Sequence, residues 1–392
     1  MDDVVILSAV RTPIGAFQGT LASLPAHALG ARALSAAFER AGVTADQIQQ
    51  VNMGCVLPAG QGQAPARQAA LAAGCLPAAG ALTLNKVCGS GMRAVMIAAN
   101  DLRCGDFQLV AAGGMESMSQ TPYLASGVRD GLRLGHGKLI DSMIHDGLWD
   151  PYNDIHMGNC AELCASEYKV SREEQDAYAL ESYRRSREAT EKGLFAEEIV
   201  PVTVKGKKGE TVVDRDEEPF KADLDRMPTL KPAFQKDGTV TAANASKIND
   251  GASALVLTTA SHAARIGAKP IARILAHSSL AQRPEWFTTA PVGAARSVLE
   301  RAGLKAADID LWEVNEAFAV VAMVFARELG LDLERVNPRG GAVSLGHPIG
   351  CSGARILTTL IHALRERSLR LGCAAICIGG GEATAMVVER VD

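Results

Sequence analysis

Two short segments carry one pattern: Ser90-Gly91-Met92-Arg93 and Ser352-Gly353-Ala354-Arg355, 262 residues apart (352 − 90 = 262). Each opens a stretch with helical spacing of apolar residues, over 89–103 and 353–366. Each stretch is followed by an apolar run that ends in glycines, Gly113-Gly114-Met115-Glu116 and Gly379-Gly380-Gly381-Glu382, here 266 residues apart (379 − 113 = 266). Two matches in the same order predict a chain of two similarly built halves. Short apolar runs at 4–7, 109–112, 254–258 and 374–378 read as buried strands. Strands alternating with helices predict an α/β architecture.

Charge divides the chain further. Residues 1–100 carry 10 charged side chains, whereas 171–240 carry 29. Such a shift predicts a surface-exposed module set into a more buried framework. Ser171-Arg172-Glu173-Glu174 at its start is a capping box, with Glu174 at the third helical position. The stretch 202–213 reads as a hairpin turning at Lys207-Lys208-Gly209.

The 392 residues have a net charge of −4, which argues against a nucleic-acid binder. No apolar run reaches the roughly 18 residues of a membrane span. The start, Met1-Asp2-Asp3, lacks the basic region of a signal peptide, so a cytoplasmic location is expected. Nine cysteines include no Cys-x-x-Cys pair, and the eight histidines are scattered. Free thiols and no metal site are therefore expected.

Four segments place reactive side chains among small residues. In Asn85-Lys86-Val87-Cys88-Gly89-Ser90-Gly91-Met92 the thiol falls at the start of a predicted helix. The free N–H groups there should lower its pKa. Gly340 to Gly353 hold one histidine, His347, suited to act as a base near neutral pH. Cys377 ends a buried run beside Gly379, Gly380 and Gly381, whose N–H groups suit an oxyanion, although this motif alone reads more readily as core packing of the thiol, like that of Cys373. Glu313-Val314-Asn315-Glu316-Ala317-Phe318 sets polar groups in an apolar context, which calls for specific hydrogen bonds or a helix start. A fifth segment, 241–254, leads small polar residues into a buried run, as a ligand channel or a turn would.

Together with Val5-Ile6-Leu7-Ser8-Ala9-Val10-Arg11-Thr12-Pro13-Ile14-Gly15, these motifs resemble the thiolase family over essentially the whole chain. The resemblance implies a five-layered α-β-α-β-α fold. Its two similar halves would comprise 1–117 with 250–268, and 269–392. The segment 118–249 would be a loop domain over the coenzyme A site. It implies Cys88 as the acylated nucleophile, His347 as its base, and Cys377 as the thiol that moves the α-proton of the second substrate. Asn315 would hold a water in one oxyanion hole, and the N–H groups of Cys88 and Gly379 would form the other. Ser246, His156, Met157, Phe318 and Phe234 would contact the substrate. A thiolate–imidazolium pair is expected at rest.

The implied reaction is the reversible condensation of two acetyl-CoA, or thiolysis of 3-ketoacyl-CoA, with coenzyme A as substrate and no prosthetic group. A homotetramer is implied as well. His156-Met157-Gly158 resembles the short-chain, acetoacetyl-CoA branch. Trp286-Phe287 stands where that branch has a methionine, and the bulk should reshape the acyl pocket. Pro219-Phe220 breaks a pattern that supplies an arginine for the coenzyme phosphates, leaving Lys221 as the substitute. Glu382-Ala383-Thr384 also departs from the family pattern. Broader chain-length specificity is the alternative. A decarboxylating ketoacyl-synthase chemistry fits less well, because it uses His or Asn where Cys377 stands.

Overall fold

The computed structural model describes residues 2–207 and 209–392. Its main sheet contains nine principal strands: β1 (Val4–Arg11), β2 (Gln50–Gly54), β3 (Gly80–Leu84), β4 (Leu109–Ser117), β5 (Asn249–Thr259), β6 (Ala272–Ala281), β7 (Leu311–Val314), β8 (Leu371–Ile378) and β9 (Glu382–Arg390). They lie in the order β7-β8-β9-β6-β1-β5-β4-β2-β3. Apart from the outermost β3, the order is symmetric about the β1–β6 junction. Moving outward from β1, the pairings with β5, β4 and β2 are antiparallel, antiparallel and parallel. From β6 the pairings with β9, β8 and β7 repeat that sequence. Only Val5↔Arg273 and Ile6↔Ala272 join the two halves of the sheet. The sequence repeat is thus a structural repeat.

Strand periodicity decides the layers, because alternate side chains point to opposite faces. Val4 and Ile6 of β1, and Ala374 and Ile376 of β8, face a shared central core. That core holds two helices, α2 (Ser90–Cys104) and α7 (Ser352–Glu366). Val5, Leu7 and Val10 face the opposite way, onto α1 (Ala26–Ala41). Cys373 and Ala375 face α5 (Ala290–Ala302), which follows α3 (Met157–Glu167) and α4 (Arg172–Glu191) and precedes α6 (Ala319–Leu329). The result is the expected helix–sheet–helix–sheet–helix stack.

The repeated Ser-Gly-x-Arg segments meet at its centre. A Cβ on Gly91 would lie 2.8 Å from the Ala354 nitrogen, and one on Gly353 would lie 2.5 Å from the Met92 nitrogen. Each glycine lets the other helix's backbone approach, so α2 and α7 cross at their N-terminal ends. The loops entering those helices carry Cys88 and His347.

The charged segment differs from its sequence reading in one respect. The capping box at Ser171 forms, and 202–213 is a hairpin of strands Val202–Gly206 and Gly209–Val213. Of its expected turn residues, Lys208 lies outside the described residues. Most of its charges are exposed, but Asp176, Arg185, Glu198, Asp216 and Glu218 are buried. Arg11 of β1 is fully buried against Glu198 at 2.6 Å and Asp216 at 2.6 Å. Arg185 of α4 reaches the carbonyl of Val336 at 2.7 Å. These charges tie the segment to both halves, and their partners are too distant in sequence for a local charge count to anticipate.

Candidate active site

The cysteine loop is built by backbone strain and one hydroxyl. Val87 adopts φ 45°, unusual for a β-branched residue, and turns the chain from β3 into α2. Ser90 holds the turn, accepting from the Lys86 N–H at 2.8 Å and donating to the Val87 carbonyl at 2.6 Å. Cys88 lies just before α2, as the sequence predicts, but its thiol is not acidified. Burial pushes it up to about 11, against the N–H groups of Gly379 and of Cys88 itself, which favour the thiolate. Desolvation outweighs the helix terminus.

His347 is fully enclosed. Burial, with a smaller contribution from the Arg355 charge, pushes its imidazole down to about 3. Its Nδ1 lies 2.6 Å from Ser352 Oγ, and its main-chain N–H donates to Asn249 Oδ1 at 2.9 Å. Burial thus works against both charges of the expected thiolate–imidazolium pair and favours a neutral thiol with a neutral imidazole. Removing water from both groups penalises both charges.

Cys377 and Asn315 lie behind the cavity wall. Cys377 is completely buried, and burial together with the nearby Cys88 raises its pKa well above the ordinary thiol value. Asn315 Nδ2 is 3.5 Å from His347 Nε2, and its Oδ1 has no protein partner. Asn315 is not a helix cap: the helix Ala319–Leu329 is preceded by Phe318. Gly379 follows β8, and its N–H faces Cys88.

The remaining site residues surround a cavity of about 230 Å³. Cys88, His347, Gly379, Ser246, His156, Met157, Phe234 and Phe318 all line it, with the 245–248 stretch forming one side. His156 begins α3: its Nδ1 accepts from the Gly158 N–H at 3.0 Å, so in the neutral ring Nε2 bears the proton. Its ring stacks on Phe234 at 4.8 Å, and Phe234 meets Phe318 edge-on at 6.0 Å. Only glycine fits at 158, since a Cβ there would lie 2.2 Å from the Phe234 ring.

Of the bulky pair Trp286-Phe287, Phe287 lines the cavity and Trp286 does not. Glu382 pairs with Lys86 and so ties the glycine turn to the cysteine loop. Lys221 does not reach the cavity. It lies in a separate groove with Arg215 and Phe220, 3.6 Å from Glu217, because the short helix Glu218–Lys221 turns it away.

Three supporting residues escaped the sequence reading. Ser352 and Asn249 hold His347. Glu116, fully buried at the end of β4, accepts from the N–H groups of Val56 at 2.9 Å, Leu57 at 3.2 Å and Gly350 at 2.8 Å. Burial raises its carboxyl to about 7, against these three N–H groups. An acid inside an apolar strand was the available signal. Among the described residues no cluster of three or more His, Cys, Asp or Glu could hold a metal, and no helix is long and apolar enough to cross a membrane.

A cysteine beside a neutral imidazole, a second thiol behind it and backbone donors around one apolar slot define an acyltransferase. Residues 4–261 match the family model for the thiolase N-terminal domain, and 268–390 that for the thiolase C-terminal domain. The chain belongs to the thiolase family. It is 53% identical to the mitochondrial acetyl-CoA acetyltransferase A of Xenopus laevis, over 100% of this chain and 93% of that protein. It is 50% identical to the acetyl-CoA acetyltransferase of Cupriavidus necator over 100% of both. Two crystal structures share the fold. The acetyl-CoA acetyltransferase of Bacillus anthracis superposes with TM-score 0.97 at 41% identity, covering 100% of this chain and 99% of that one. A thiolase from Ascaris suum in complex with coenzyme A has TM-score 0.94 at 43% identity, covering 99% and 100%.

Proposed function

We propose that the protein is a short-chain thiolase, an acetyl-CoA C-acetyltransferase that interconverts two acetyl-CoA with acetoacetyl-CoA and coenzyme A. The observation that carries this reading is the convergence of Cys88 and His347 on one slot of about 230 Å³, with Cys377 buried beside Cys88. Three phenylalanines and Met157 narrow the slot, which suits a short acyl group. The close identity to proteins named acetyl-CoA acetyltransferase supports the same substrate class.

In the thiolytic direction, the Cys88 thiol gives its proton to His347 Nε2 as its sulfur attacks the 3-keto carbon. Proton transfer concerted with attack suits a pair that is neutral at rest. The developing oxyanion meets His347 Nε2–H and a water held by Asn315. The bond between C2 and C3 breaks, and Cys377 protonates the acetyl-CoA enolate carbon. Coenzyme A then attacks acetyl-Cys88. Its thiol proton restores Cys377, and His347 returns the first proton to Cys88. The N–H groups of Cys88 and Gly379 hold the thioester oxygen during this transfer. His156 and Ser246 contact the thioester end and the pantetheine arm. Condensation is the reverse.

Domain limits of 1–117 with 250–268, 118–249 and 269–392, a homotetramer and a cytoplasmic location complete the proposal. The test is a thiolysis assay with 3-ketoacyl-CoA of increasing length. Activity concentrated on acetoacetyl-CoA is expected, and a maximum at longer chains overturns the short-chain reading. Covalent labelling by acetyl-CoA should vanish in Cys88→Ala; labelling that persists at another cysteine refutes the nucleophile.

A further inference from the structure

We infer that Ser352 is a positioning residue that keeps His347 in the tautomer with a bare Nε2, and that it does for the base what its repeat counterpart Ser90 does for the nucleophile. The inference rests on the proposed function for its catalytic meaning, but its geometry stands apart from it. Ser352 Oγ lies 2.9 Å from the Pro348 carbonyl oxygen and 2.6 Å from His347 Nδ1. A serine hydroxyl has one proton. If that proton went to Nδ1, two oxygens would face each other at 2.9 Å with no hydrogen between them. Both contacts are satisfied together only when Ser352 donates to Pro348 and Nδ1–H donates to Ser352. The ring proton is then on Nδ1, and Nε2, on the Asn315 side, carries the lone pair.

Ser90 also accepts one bond and donates another one half away, but to main-chain groups only. It accepts from the Lys86 N–H and donates to the Val87 carbonyl, and so fixes the loop that presents Cys88. Each serine opens a central helix and precedes one of the two glycines at the helix crossing. The duplicated Ser-Gly pair therefore has two separate jobs, with the hydroxyl setting a loop and the glycine setting the helix approach. During proton transfer the Cys88 S–H bond breaks and an Nε2–H bond forms. Nδ1–H stays on Ser352 throughout, so the imidazolium forms without a ring flip.

The experiment is 15N NMR of the full-length protein labelled at histidine, with His347 assigned by its loss in His347→Asn. In the unmodified enzyme at pH 7, Nδ1 should show the shift of a protonated nitrogen and Nε2 that of a bare one. The opposite pattern overturns the inference without any variant. In Ser352→Ala, about a tenfold fall in kcat is expected with the KM for acetoacetyl-CoA within about twofold, and the ring should become a tautomer mixture. Unchanged kcat and an unchanged tautomer in that folded variant would also overturn it. Absence of thiolysis in the unmodified enzyme would instead refute the proposed function and leave the tautomer assignment to stand or fall on its spectrum.

Discussion

Gly353→Ala tests the central crossing most directly. The added methyl would sit 2.5 Å from the Met92 nitrogen, 2.9 Å from its Cβ and 3.2 Å from its Cα. Two of the three atoms are backbone, so no rotamer change relieves the clash, and the helices must part by about an ångström to restore van der Waals distance. Overpacking of this kind costs up to about 3 kcal/mol. Alanine regains about 1 kcal/mol of helix propensity over glycine. The net is a loss of about 2 kcal/mol, in a protein whose total margin is typically about 5–15 kcal/mol. Because α2 and α7 begin at the Cys88 and His347 loops, the same displacement should lower kcat, and an ångström at the reacting groups costs up to about a hundredfold. Urea unfolding measures the first effect and steady-state thiolysis the second. A variant as stable and as active as the parent would refute the claim that the glycines set the crossing.

Other outcomes follow from the same geometry. With Cys88 raised to about 11 and His347 lowered to about 3, both groups are neutral throughout the physiological range. Thiolate absorbance near 240 nm should therefore be absent at pH 7 and appear only as pH climbs toward the thiol's raised value. A thiolate signal at pH 7 that is lost in Cys88→Ala contradicts this. Cys377→Ala should still be acetylated on Cys88 but lose about a hundredfold or more in thiolysis, measured by burst against turnover. Phe287→Ala should shift kcat/KM toward longer 3-ketoacyl-CoA by about tenfold relative to acetoacetyl-CoA. Arg11→Met should destabilise by about 3–5 kcal/mol, because Asp216 would stay buried without its cation and Glu198 would keep only the more distant Arg339. Burial raises the Glu198 carboxyl, but Arg11 and Arg339 outweigh it and hold it below the ordinary range. Its contribution is thus fully present above the ordinary range and lost as pH falls below that range through the depressed value, and thermal melts at decreasing pH should show that loss in the parent and less of it in the variant.

The architecture was legible because its signals are local. Apolar runs, two helix starts and a repeat with nearly constant spacing place β1, β4, β8, α2 and α7 without knowledge of any partner. The residues proposed as reactive were legible in part: Cys88 and His347 stand among small residues that a core would not require, whereas Cys377 was singled out by the family resemblance and not by its own buried run. What the chain concealed depends on distance or on solvent. Protonation at the site follows from burial, which no helix-terminus rule weighs. The charges of 171–240 look solvated until Arg11 is seen against Glu198 and Asp216. That Lys221 stands in a surface groove apart from the acyl cavity was not legible either. Glu116 hydrogen-bonds two loops that lie nearly 300 residues apart (350 − 56 = 294).

The position of β5 bears on how the chain reaches this structure. β5 lies between β1 and β4, yet it is made only after the charged segment. While the polypeptide emerges from the ribosome, β1 has no neighbour to pair with, and β4 has β2 on one side only, until residue 259 is synthesised. Two hydrophobic strand edges thus wait through more than a hundred residues of elongation, a period in which intermolecular strand pairing competes. The wait in the second half is shorter: β6, complete at residue 281, meets β9 by residue 390 (390 − 281 = 109), whereas β1, complete at residue 11, waits for residue 259 (259 − 11 = 248). Its sheet should close quickly once translated, which makes the first half the slow step and the part that benefits from a chaperone.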